Sequence, residues 1–498
     1  MSTRSYKDAV DHLNTLQSNA AALDAVRASG GRLSQFAIPE MLEYLERIGY
    51  TSTDLNQLNV IHITGTKGKG STSAFTDSIL RHALPGTKIG LYTSPHLVAV
   101  RERIRINGTP ISEEQFATYF FEVWDRLVAN VRPSPTTPPM PGYFRFVTLL
   151  AFHTFLSLKV DATVLEVGVG GTYDSTNIVP KPVVTGVAAL GIDHVSVLGK
   201  TLEEIAWQKG GIFKEGVPAI TLNQPGAGMR VLEERARELK ASQFVIAPTI
   251  PELSEIELGL AGEHQRQNAE LAVALARSFL KTQTSFDDES SLPQSFRTGL
   301  ERTRWPGRCQ TIVDPKRENV TWYLDGAHTV ESLECCMHWF ASPNVGLRPS
   351  HQKPTRVLVF NCTSGRSGSS FLGSMYTTVA AQLRLHQVNE PPEAFFDHVI
   401  FCANVTYADG HFKGDLTTLA IPEDDLAHLK TQHQLASAWS ALVPSFPPSH
   451  THVLPSIEHA VHEIEKIQSS EPVKVLVAGS LHLVGGVIEV AGLSDLAL

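Results

Sequence analysis

Residues 60–75, "VIHITGTKGKGSTSAF", join a short apolar β-type run, a glycine-rich loop and the start of a helical pattern. This order is typical of a phosphate-binding loop, in which backbone N–H groups and a helix N-terminus hold phosphate oxygens. The standard form, G-x-x-x-x-G-K-[ST], places a metal-binding hydroxyl directly after its lysine. Here Gly70 follows Lys69, and Gly65 lies too close to Gly68 for the full spacing. The stretch predicts ATP binding in an α/β domain, and it leaves open which residue supplies the hydroxyl to the metal.

Length and composition indicate an ordinary globular protein with more than one domain. The chain has 498 residues, of which 42% are hydrophobic and 19% charged, and a chain of this length exceeds a single core. The net charge of −9 provides no global basic field, so we expect no nucleic-acid partner. The five cysteines form no C-x-x-C pair, which argues against a disulfide framework or a zinc site and favours a reducing compartment.

The two ends of the sequence bear on localisation. Residues 1–17 lack an apolar segment, and Asp8 and Asp11 argue against a transit peptide. The weakly charged run 475–493 is interrupted by glycines, His482 and Glu489, which favours a buried strand, turn and helix over a membrane span. We therefore expect a cytoplasmic monomer with no membrane partner. Whether a longer isoform serves the mitochondrial pool is left open.

Short Val- and Ile-rich runs alternate with helical patterns along most of the chain. Such runs are typical of a parallel sheet with helices on both faces. They lie at residues 59–64, 88–93, 162–168, 182–190, 217–222, 320–328, 355–365, 397–405 and 473–482. The polar segment 282–299 marks a boundary, and we place the junction near Trp305. The pattern predicts two doubly wound α/β domains: an ATPase-type domain over 1–304 and a smaller Rossmann-like domain over 305–498.

Four polar side chains follow the predicted strands of the first domain, where ligands bind in open α/β sheets. Ser94 follows one strand, Glu166 ends a buried one, His194 comes after the next, and Lys209 lies on the following helix. Each alone has an ordinary explanation: a helix cap, a satisfied core histidine or a solvated lysine. In this order after a phosphate loop, they favour a common site.

Several motifs together resemble the Mur ligase superfamily and, within it, the folylpolyglutamate synthases of eukaryotic type. The resemblance covers nearly the whole chain. It is carried by residues 8–31, "HITGTKGKGST" (62–72), "GLYTSPHLVAVRERIRING" (90–108), "EVGVGGTYDSTN" (166–177), "WPGR" (305–308) and "WYLDGAH" (322–328).

The resemblance implies an answer to the missing hydroxyl: Ser94, Glu166 and His194 hold Mg²⁺. Oxygen donors suit this ion, and a neutral imidazole can complete its shell. Lys209 matches a lysine carbamylated by CO₂, which turns an ammonium into an anionic group able to hold a second Mg²⁺. A monovalent cation such as K⁺ is a further expected cofactor.

The resemblance also implies a nucleotide site that uses both domains, which close for reaction. We expect Lys69, Lys209 and His194 to act in catalysis, and Thr72 is a further candidate for phosphate contact. The expected ATP-binding residues are Gly65, Thr66, Lys67, Gly68, Lys69, Gly70, Ser71, Gln265, Asn268, Arg308, Asp325 and His328.

The implied reaction is ATP-dependent ligation of L-glutamate to the γ-carboxylate of tetrahydrofolate and folylpolyglutamates, through an acyl phosphate. Because the substrate is anionic and the chain is acidic, local cations must capture it. Arg101, Arg103 and Arg105 alternate, so they share one face if the segment is extended. They either steer substrate carboxylates or line a solvated strand.

Two alternatives stay open. Dihydrofolate synthase uses the same machinery to add the first glutamate to dihydropteroate. Bacterial bifunctional relatives usually carry a Phe-Glu pair where this chain has Arg145, which favours the polyglutamate role. The other alternative, an ATP-binding scaffold without ligase chemistry, would not need Glu166, His194 and Lys209 together.

Overall fold

The computed structural model describes residues 4–18, 36–132, 137–284, 286, 291–343, 345–347, 354–362, 367–417, 423–467 and 471–498. Residues 19–31 of the resembling N-terminal segment, parts of 282–299 and the end of the predicted strand region 355–365 lie outside these ranges. The chain forms two compact units. The first comprises Met1–His96, Val100–Gly259 and Gln265–Arg304; the second comprises Leu97–Ala99, Leu260–His264 and Trp305–Leu498.

The first unit is built on an eight-stranded sheet with the order β4-β3-β2-β5-β1-β6-β7-β8. Six neighbouring strands, from β2 to β8 in that order, are parallel, whereas β3 and β4 pair antiparallel at one edge. The strands are β1 (Val60–Thr64), β2 (Ile89–Tyr92), β3 (Ile104–Ile106), β4 (Thr109–Pro110), β5 (Ala162–Glu166), β6 (Val184–Val187), β7 (Pro218–Thr221) and β8 (Gln243–Ile246).

The position of β1 decides where a ligand can bind. Its neighbours are β5 on one side and β6 on the other, so the chain leaves β1 toward β2 in one direction and later fills the other side. Such a reversal of strand order creates a crevice at the carboxyl ends of the strands. Every residue of β1, β2 and β5 is buried, as expected of strands covered on both faces.

Ten helices of the first unit are described. They are α1 (Tyr6–Asn14), α2 (Ala37–Arg47), α3 (Lys69–Ala83), α4 (Glu113–Ala129), α5 (Tyr143–Leu158), α6 (Val195–Leu198), α7 (Leu202–Gly210), α8 (Gly226–Glu238), α9 (Gln265–Gln283) and α10 (Gln294–Arg302). Their starts follow local chemistry: Ser112 and Thr201 form capping boxes with Gln115 and Glu204, which satisfy N–H groups that a helix leaves unpaired. Helix α3 begins at Lys69, directly after the glycine-rich loop.

The polar segment predicted as a boundary contains part of the first unit. Within it, α10 packs closely on α3: a Cβ at Gly299 would lie 2.8 Å from the Ile79 Cα, and the Ser78 hydroxyl donates to the Gly299 carbonyl over 2.7 Å. Glycine is needed here because two helix backbones approach each other.

The second unit contains a six-stranded sheet with the order β13-β12-β11-β14-β10-β9. All neighbours are parallel except β9, which pairs antiparallel with β10. The strands are β9 (Gln310–Val313), β10 (Val320–Leu324), β11 (Thr355–Phe360), β12 (His398–Cys402), β13 (Thr451–Leu454) and β14 (Val473–Ala478). The predicted α/β class with two largely parallel sheets is confirmed.

Helices cover this second sheet. They are α11 (Val330–Phe340), α12 (Gly368–Leu385), α13 (Glu423–His428), α14 (Lys430–Leu442), α15 (Ile457–Lys466), α16 (Leu481–Val490) and α17 (Ser494–Ala497). The weakly charged C-terminal run forms β14, a turn and α16, as the sequence predicts. No described helix has the length and apolar character needed to cross a membrane. None of the five cysteines, all of which lie within the described ranges, forms a disulfide.

Candidate functional site

The glycine-rich loop after β1 is pinned to the segment after β6. The backbone N–H groups of Thr66 and Lys67 both donate to the Ala189 carbonyl, at 2.9 and 3.1 Å. The Thr66 hydroxyl donates to the Gly191 carbonyl over 3.0 Å and accepts from the Gly191 N–H over 3.1 Å. The loop is therefore held in place before any ligand binds.

Two glycines of the loop are required by close contacts as well as by backbone angles. Gly65 has φ 152° and Gly68 has φ 81°. A Cβ at Gly65 would lie 2.8 Å from the Ala188 Cβ, and one at Gly68 would lie 2.1 Å from the Asn268 Oδ1. The structure thus places Asn268, which the resemblance assigns to adenine, directly against the loop.

The predicted pair Gln265 and Asn268 lies in the first turn of α9. The Asn268 Nδ2 donates to the Gln265 Oε1 over 2.9 Å. The buried Gln265 Nε2 has no hydrogen-bond partner among the described residues. A buried amide donor without a partner is costly, so this position fits a residue that a ligand completes.

The first turn of α3 carries the other predicted phosphate contacts. Its N-cap is Gly68, and its first residues are Lys69, Gly70 and Ser71. Ser71 and Thr72 are buried, and the Thr72 Oγ1 has no hydrogen-bond partner within the described ranges. The helix N-terminus and its hydroxyl groups thus lie next to the loop, as an anion site requires.

Two lysines converge on one backbone carbonyl. The Lys69 Nζ lies 2.9 Å from the Gly65 oxygen, and the Lys209 Nζ lies 2.8 Å from the same atom. Lys209 is only 3% exposed. Burial lowers the pKa of its amine well below 10.5, and the Lys69 charge lowers it further, while Asp193 and Asp174 oppose this shift. Two amines at one carbonyl oxygen disfavour a full positive charge on both, and an anionic group beside them would relieve their repulsion.

These lysines line a pocket with the predicted histidine. His194 lies at the N-terminus of α6 with φ 50°. Its backbone N–H donates to the Asp193 Oδ1 over 2.8 Å. The imidazole is exposed. The pocket is lined by Gly65, Thr66, Lys69, Gly168, Val169, Gly170, Asp193, His194, Leu198 and Lys209.

The other two predicted metal ligands form a separate pair. Because β2 and β5 are neighbours, Ser94 and Glu166 meet after these strands, where the Ser94 N–H donates to the Glu166 Oε2 over 3.1 Å. Glu166 is 3% exposed. Among the described residues, no group of three His, Cys, Asp or Glu side chains is arranged to hold a metal. The structure thus places Ser94 beside Glu166, and His194 in one pocket with Lys209. It does not show all the predicted ligands arranged around one metal position in the described residues.

A buried network that the sequence interpretation missed holds the glycine segment 168–170. The Asp174 carboxylate accepts from the Val169 N–H over 3.0 Å and from the Thr176 hydroxyl over 2.6 Å, although burial raises its pKa. The Thr64 hydroxyl donates to the Gly170 carbonyl over 2.6 Å. The only sequence signal was "DSTN" (174–177), in which Asp174 caps a short 3₁₀ helix.

The predicted residues of the second unit meet in a turn after β10. The Asp325 Oδ2 accepts from the Cys309 N–H over 2.8 Å and from the Cys309 Sγ over 3.2 Å, and its Oδ1 accepts from the Ala327 N–H over 2.7 Å. Beside it, Arg308 lies so close to Gly326 that a Cβ there would be 2.6 Å from its Nη1. The His328 Nδ1 lies 2.8 Å from the Gly326 oxygen. The structure thus brings Arg308, Asp325 and His328 together, with Cys309 as a residue that the sequence reading missed.

The three arginines of "VRERIRING" do not line one face, so this expectation is wrong. Residues Val100–Arg103 form a 3₁₀ helix, and only Ile104–Ile106 is extended. The Arg101 Nη1 donates to the Ile111 carbonyl over 3.1 Å, and the buried Arg105 donates to the carbonyls of Glu102 and Gly108, both over 3.2 Å. Two of the three therefore stabilise local backbone.

Arg145 is also engaged within the protein. It lies in the first turn of α5 and forms an ion pair with the nearly buried Glu40 of α2. Its charge is thus offset locally, and a carboxylate stands beside the position where the sequence shows an arginine. The arginine at this position therefore does not by itself favour the polyglutamate role.

Sequence comparison identifies the family. No protein-family model matches the chain. The folylpolyglutamate synthase of Saccharomyces cerevisiae strain FostersO is 46% identical over 502 residues, which cover 98% of this chain and 87% of the yeast protein. The protein of strain AWRI796 matches to the same extent. The chain belongs to the folylpolyglutamate synthase family.

Solved structures of the family share the fold. Mycobacterium tuberculosis folylpolyglutamate synthase complexed with ADP and AMPPCP matches with a TM-score of 0.66 and 23% identity, over 92% of this chain and 98% of that one. E. coli FolC in complex with DHPP and ADP matches with a TM-score of 0.62 and 23% identity, over 92% and 98% of the two chains. The resemblance predicted from the motifs is confirmed at the level of family and fold.

Proposed function

We propose that this chain is an ATP-dependent ligase that adds L-glutamate to the γ-carboxylate of tetrahydrofolate and of folylpolyglutamates. Membership of the family supports the reaction. The observation within the structure that carries it is the pocket where Lys69 and Lys209 converge on the Gly65 carbonyl beside the N-terminus of α3. Such a cationic pocket at a helix start suits the phosphates of ATP.

The proposed reaction has two steps. The γ-carboxylate of the acceptor attacks the γ-phosphorus of ATP, the bond to the β–γ bridging oxygen breaks, and ADP leaves an acyl phosphate. The amine of L-glutamate then attacks the acyl carbon; the amide forms, the amine loses a proton, and phosphate leaves. Lys69 and the N–H groups of α3 neutralise charge on the transferring phosphoryl group. The pinned loop holds these donors in place, so little reorganisation is needed.

Ser94 and Glu166 are the residues best suited to hold Mg²⁺. The set combines a hydroxyl oxygen with a carboxylate that is buried at a strand end, and hard oxygen donors are the ligands that Mg²⁺ prefers. His194, which lines the pocket, is the third proposed ligand. When bound, the ion would neutralise charge on the phosphate oxygens. The monovalent cation stays a prediction.

The surroundings of Lys209 support its proposed carbamylation. Burial and the Lys69 charge lower its pKa, so more of the amine is neutral and able to attack CO₂. The attack forms an N–C bond and releases one proton, which leaves a carbamate anion. That anion would attract Lys69 rather than repel it, and it would present oxygen donors to a cation.

Nucleotide contacts are proposed within each unit. In the first unit they are the loop, Lys69, Gln265 and Asn268; in the second they are Arg308, Asp325 and His328. The orphaned Gln265 Nε2 supports a ligand contact in the first unit. The arrangement after β10, with a fixed carboxylate between an arginine and a histidine, supports one in the second.

Dihydropteroate remains a second candidate acceptor because of the ion pair between Arg145 and Glu40. The argument against this acceptor depended on an arginine replacing an acidic residue. Glu40 restores a carboxylate beside that position, so the replacement no longer separates the two acceptors.

The decisive experiment supplies purified protein with ATP, Mg²⁺, L-glutamate and either tetrahydrofolate or dihydropteroate. We expect mass spectrometry to show tetrahydrofolate products spaced by one glutamate, with ADP formed in proportion. Conversion of dihydropteroate without any extension of tetrahydrofolate would assign the alternative activity. ATP binding without product from either acceptor would indicate a scaffold.

A further inference from the structure

Arg103 differs from its two neighbours in what its side chain contacts. It is 8% exposed. Its Nε donates to the His96 Nδ1 over 3.0 Å, and its guanidinium carbon lies 5.5 Å from the centre of the Tyr143 ring. The two Nη nitrogens have no hydrogen-bond or ion-pair partner among the described residues. Neither nitrogen is among the fully buried atoms that lack a partner, so both keep some solvent-accessible surface.

A buried guanidinium without a carboxylate is costly, because desolvation is not repaid by an opposite charge. Elsewhere this chain avoids that cost. In the second unit the fully buried Arg356 pairs with Glu390 through both Nη nitrogens, at 2.9 and 3.1 Å. Arg47 donates to the carbonyls of Leu127 and Pro139. By comparison, the Nη nitrogens of Arg103 have neither a carboxylate nor a carbonyl partner among the described residues.

The contacts of Arg103 leave one edge of its guanidinium available. His96 holds the Nε and Tyr143 lies against the face, so the fork formed by the two Nη nitrogens keeps a defined orientation. Two parallel N–H donors in a plane match a carboxylate better than a point charge does. The geometry therefore selects for a planar anion.

The position of Arg103 connects it to the proposed site. Its carbonyl accepts from the Thr93 N–H over 3.1 Å, and Thr93 directly precedes Ser94, which pairs with Glu166. Arg103 therefore lies at the carboxyl edge of the first sheet, beside the proposed metal ligands. A substrate carboxylate at this edge is within the region where phosphoryl transfer is proposed.

We propose that Arg103 binds a glutamate carboxylate that does not itself react, and that it thereby selects glutamate-bearing substrates. The inference rests on the proposed function and names the ligand group at that site. The carboxylate belongs either to the terminal glutamate of the folate acceptor, as its α-carboxylate, or to the incoming L-glutamate. Dihydropteroate has only its reacting carboxylate, so an acceptor role of Arg103 would discriminate against it.

The first test measures equilibrium binding, which does not depend on turnover. Arg103→Gln and Arg103→Lys are compared with wild type and with the matched control Arg101→Gln, whose arginine donates to a backbone carbonyl. We expect Arg103→Gln to weaken binding of diglutamyl tetrahydrofolate or of L-glutamate by about 10-fold or more. Arg103→Lys should recover only part of this loss, because it keeps the charge without the fork. The control should stay within about twofold.

Binding of an ATP analogue and the thermal unfolding midpoint serve as structural readouts. Both should match wild type in every variant, since the inference concerns a carboxylate and not the fold or the nucleotide. If Arg103→Gln alone unfolds early, Arg103→Lys carries the comparison at a temperature where it is folded.

Neutral analogues then identify the source of the carboxylate. The acceptor is offered with its terminal α-carboxylate as an amide, and the amino acid is offered as its α-amide. We expect wild type to bind one of these amides at least about 10-fold more weakly than the acid, and Arg103→Gln to bind that acid and amide equally. The substrate that shows this loss of discrimination is the ligand of Arg103.

An unchanged preference for both acids in Arg103→Gln, or binding of both substrates within twofold of wild type, would overturn the inference. Such a result is distinct from failure of the proposed function. If the proposed function failed, wild type would form no glutamate products at all. The binding comparison would then still show whether Arg103 contacts a carboxylate.

Discussion

The two units place different chemistry at equivalent positions, in the turn after a strand of a largely parallel sheet. After β1, two lysines share the Gly65 carbonyl, and one of them is buried with a lowered pKa. After β10, one carboxylate, Asp325, accepts from two backbone N–H groups and a thiol. The first turn brings two amines to one carbonyl oxygen, whereas the second satisfies its carboxylate with protein donors.

This difference indicates how each turn depends on a ligand. Burial and the Lys69 charge disfavour the positive charge of Lys209, so an anion such as phosphate, or a carbamate on Lys209, is favoured in the first turn. A carboxylate with its hydrogen bonds already made needs no ligand to remain stable. Substitutions in the first turn should therefore change the rate of phosphoryl transfer most, whereas substitutions in the second should change nucleotide binding and local stability more than that rate.

The largest effect is expected for Lys69→Ala. Its ammonium stands at the start of α3, where charge develops on the transferring phosphoryl group, and loss of one such group costs about 10²-fold or more in rate. Initial rates of ADP formation measure the loss. The thermal unfolding midpoint should stay close to wild type because the lysine is half-buried. If Lys69→Ala kept activity within a few-fold of wild type, the first turn would not have the larger catalytic role proposed for it.

Lys209→Met should have the second largest effect, a loss of about 10-fold to 100-fold in the rate of ADP formation. Methionine fills the volume without forming a carbamate, and short carboxylic acids should restore part of the activity in Lys209→Ala. In wild type, ¹³C-labelled bicarbonate should yield a protein-bound carbamate signal that is absent from Lys209→Met. Full activity in Lys209→Met would contradict the proposal.

The lowered pKa of Lys209 also predicts how folding stability and carbamylation change with pH. The folded state binds fewer protons than the unfolded state between its lowered pKa and the ordinary value of 10.5, so the contribution of this group to stability rises with pH across that interval. The neutral amine becomes more abundant over the same range. At constant dissolved CO₂, the carbamate signal should therefore increase with pH.

Glu166→Gln should raise the Mg²⁺ concentration for half-maximal activity about 10-fold, because an amide is a weaker ligand than a carboxylate. Asp325→Asn is the comparison from the second turn, since Asp325 is a proposed nucleotide contact and not a proposed metal ligand. Its Mg²⁺ titration curve should coincide with that of wild type. If both variants raised the Mg²⁺ concentration for half-maximal activity equally, Glu166 would not be distinguished from Asp325 as a metal ligand.

The smallest effect is expected for Cys309→Ala. It removes one of three donors to Asp325 and leaves both N–H groups, so urea unfolding should show a loss of about 1 kcal/mol. The KM for ATP should change less than about threefold by the same reasoning. Cys309→Ser, which retains a donor, should recover most of the stability. A KM change larger than that of Lys69→Ala would reverse the comparison.

Much of the fold could be predicted from local patterns. The β1, β2 and β5 runs are apolar throughout because both faces of the sheet are covered, and each was predicted within about two residues. Strands β3, β4, β8, β9 and β13 were missed, since they are two to four residues long and most of their residues are partly or fully exposed. Short, half-exposed strands carry little periodicity, and their pairing depends on neighbours far along the chain.

The site was only partly predictable for a similar reason. Lys69 and Lys209 were both expected, yet nothing in either local sequence shows that they share the Gly65 carbonyl, 144 residues from Lys209. The alternation of Arg101, Arg103 and Arg105 predicted one shared face, but a 3₁₀ helix broke the period. Their partners, and the unpaired fork of Arg103, follow from the packing around them.

The sequence alone determined the chemistry available: a glycine-rich loop before a helix, polar residues after buried strands, and the family that these motifs resemble. These features depend on neighbours in the chain, so they can be recognised before folding. Only the tertiary structure decided which charges are offset and which are exposed to a ligand. Glu40 offsets Arg145 and three donors hold Asp325. By contrast, Lys69 and Lys209 meet at the Gly65 carbonyl, and the Nη nitrogens of Arg103 have no partner among the described residues. Burial and distance set the energy of a charge, and both depend on residues that the sequence places far apart.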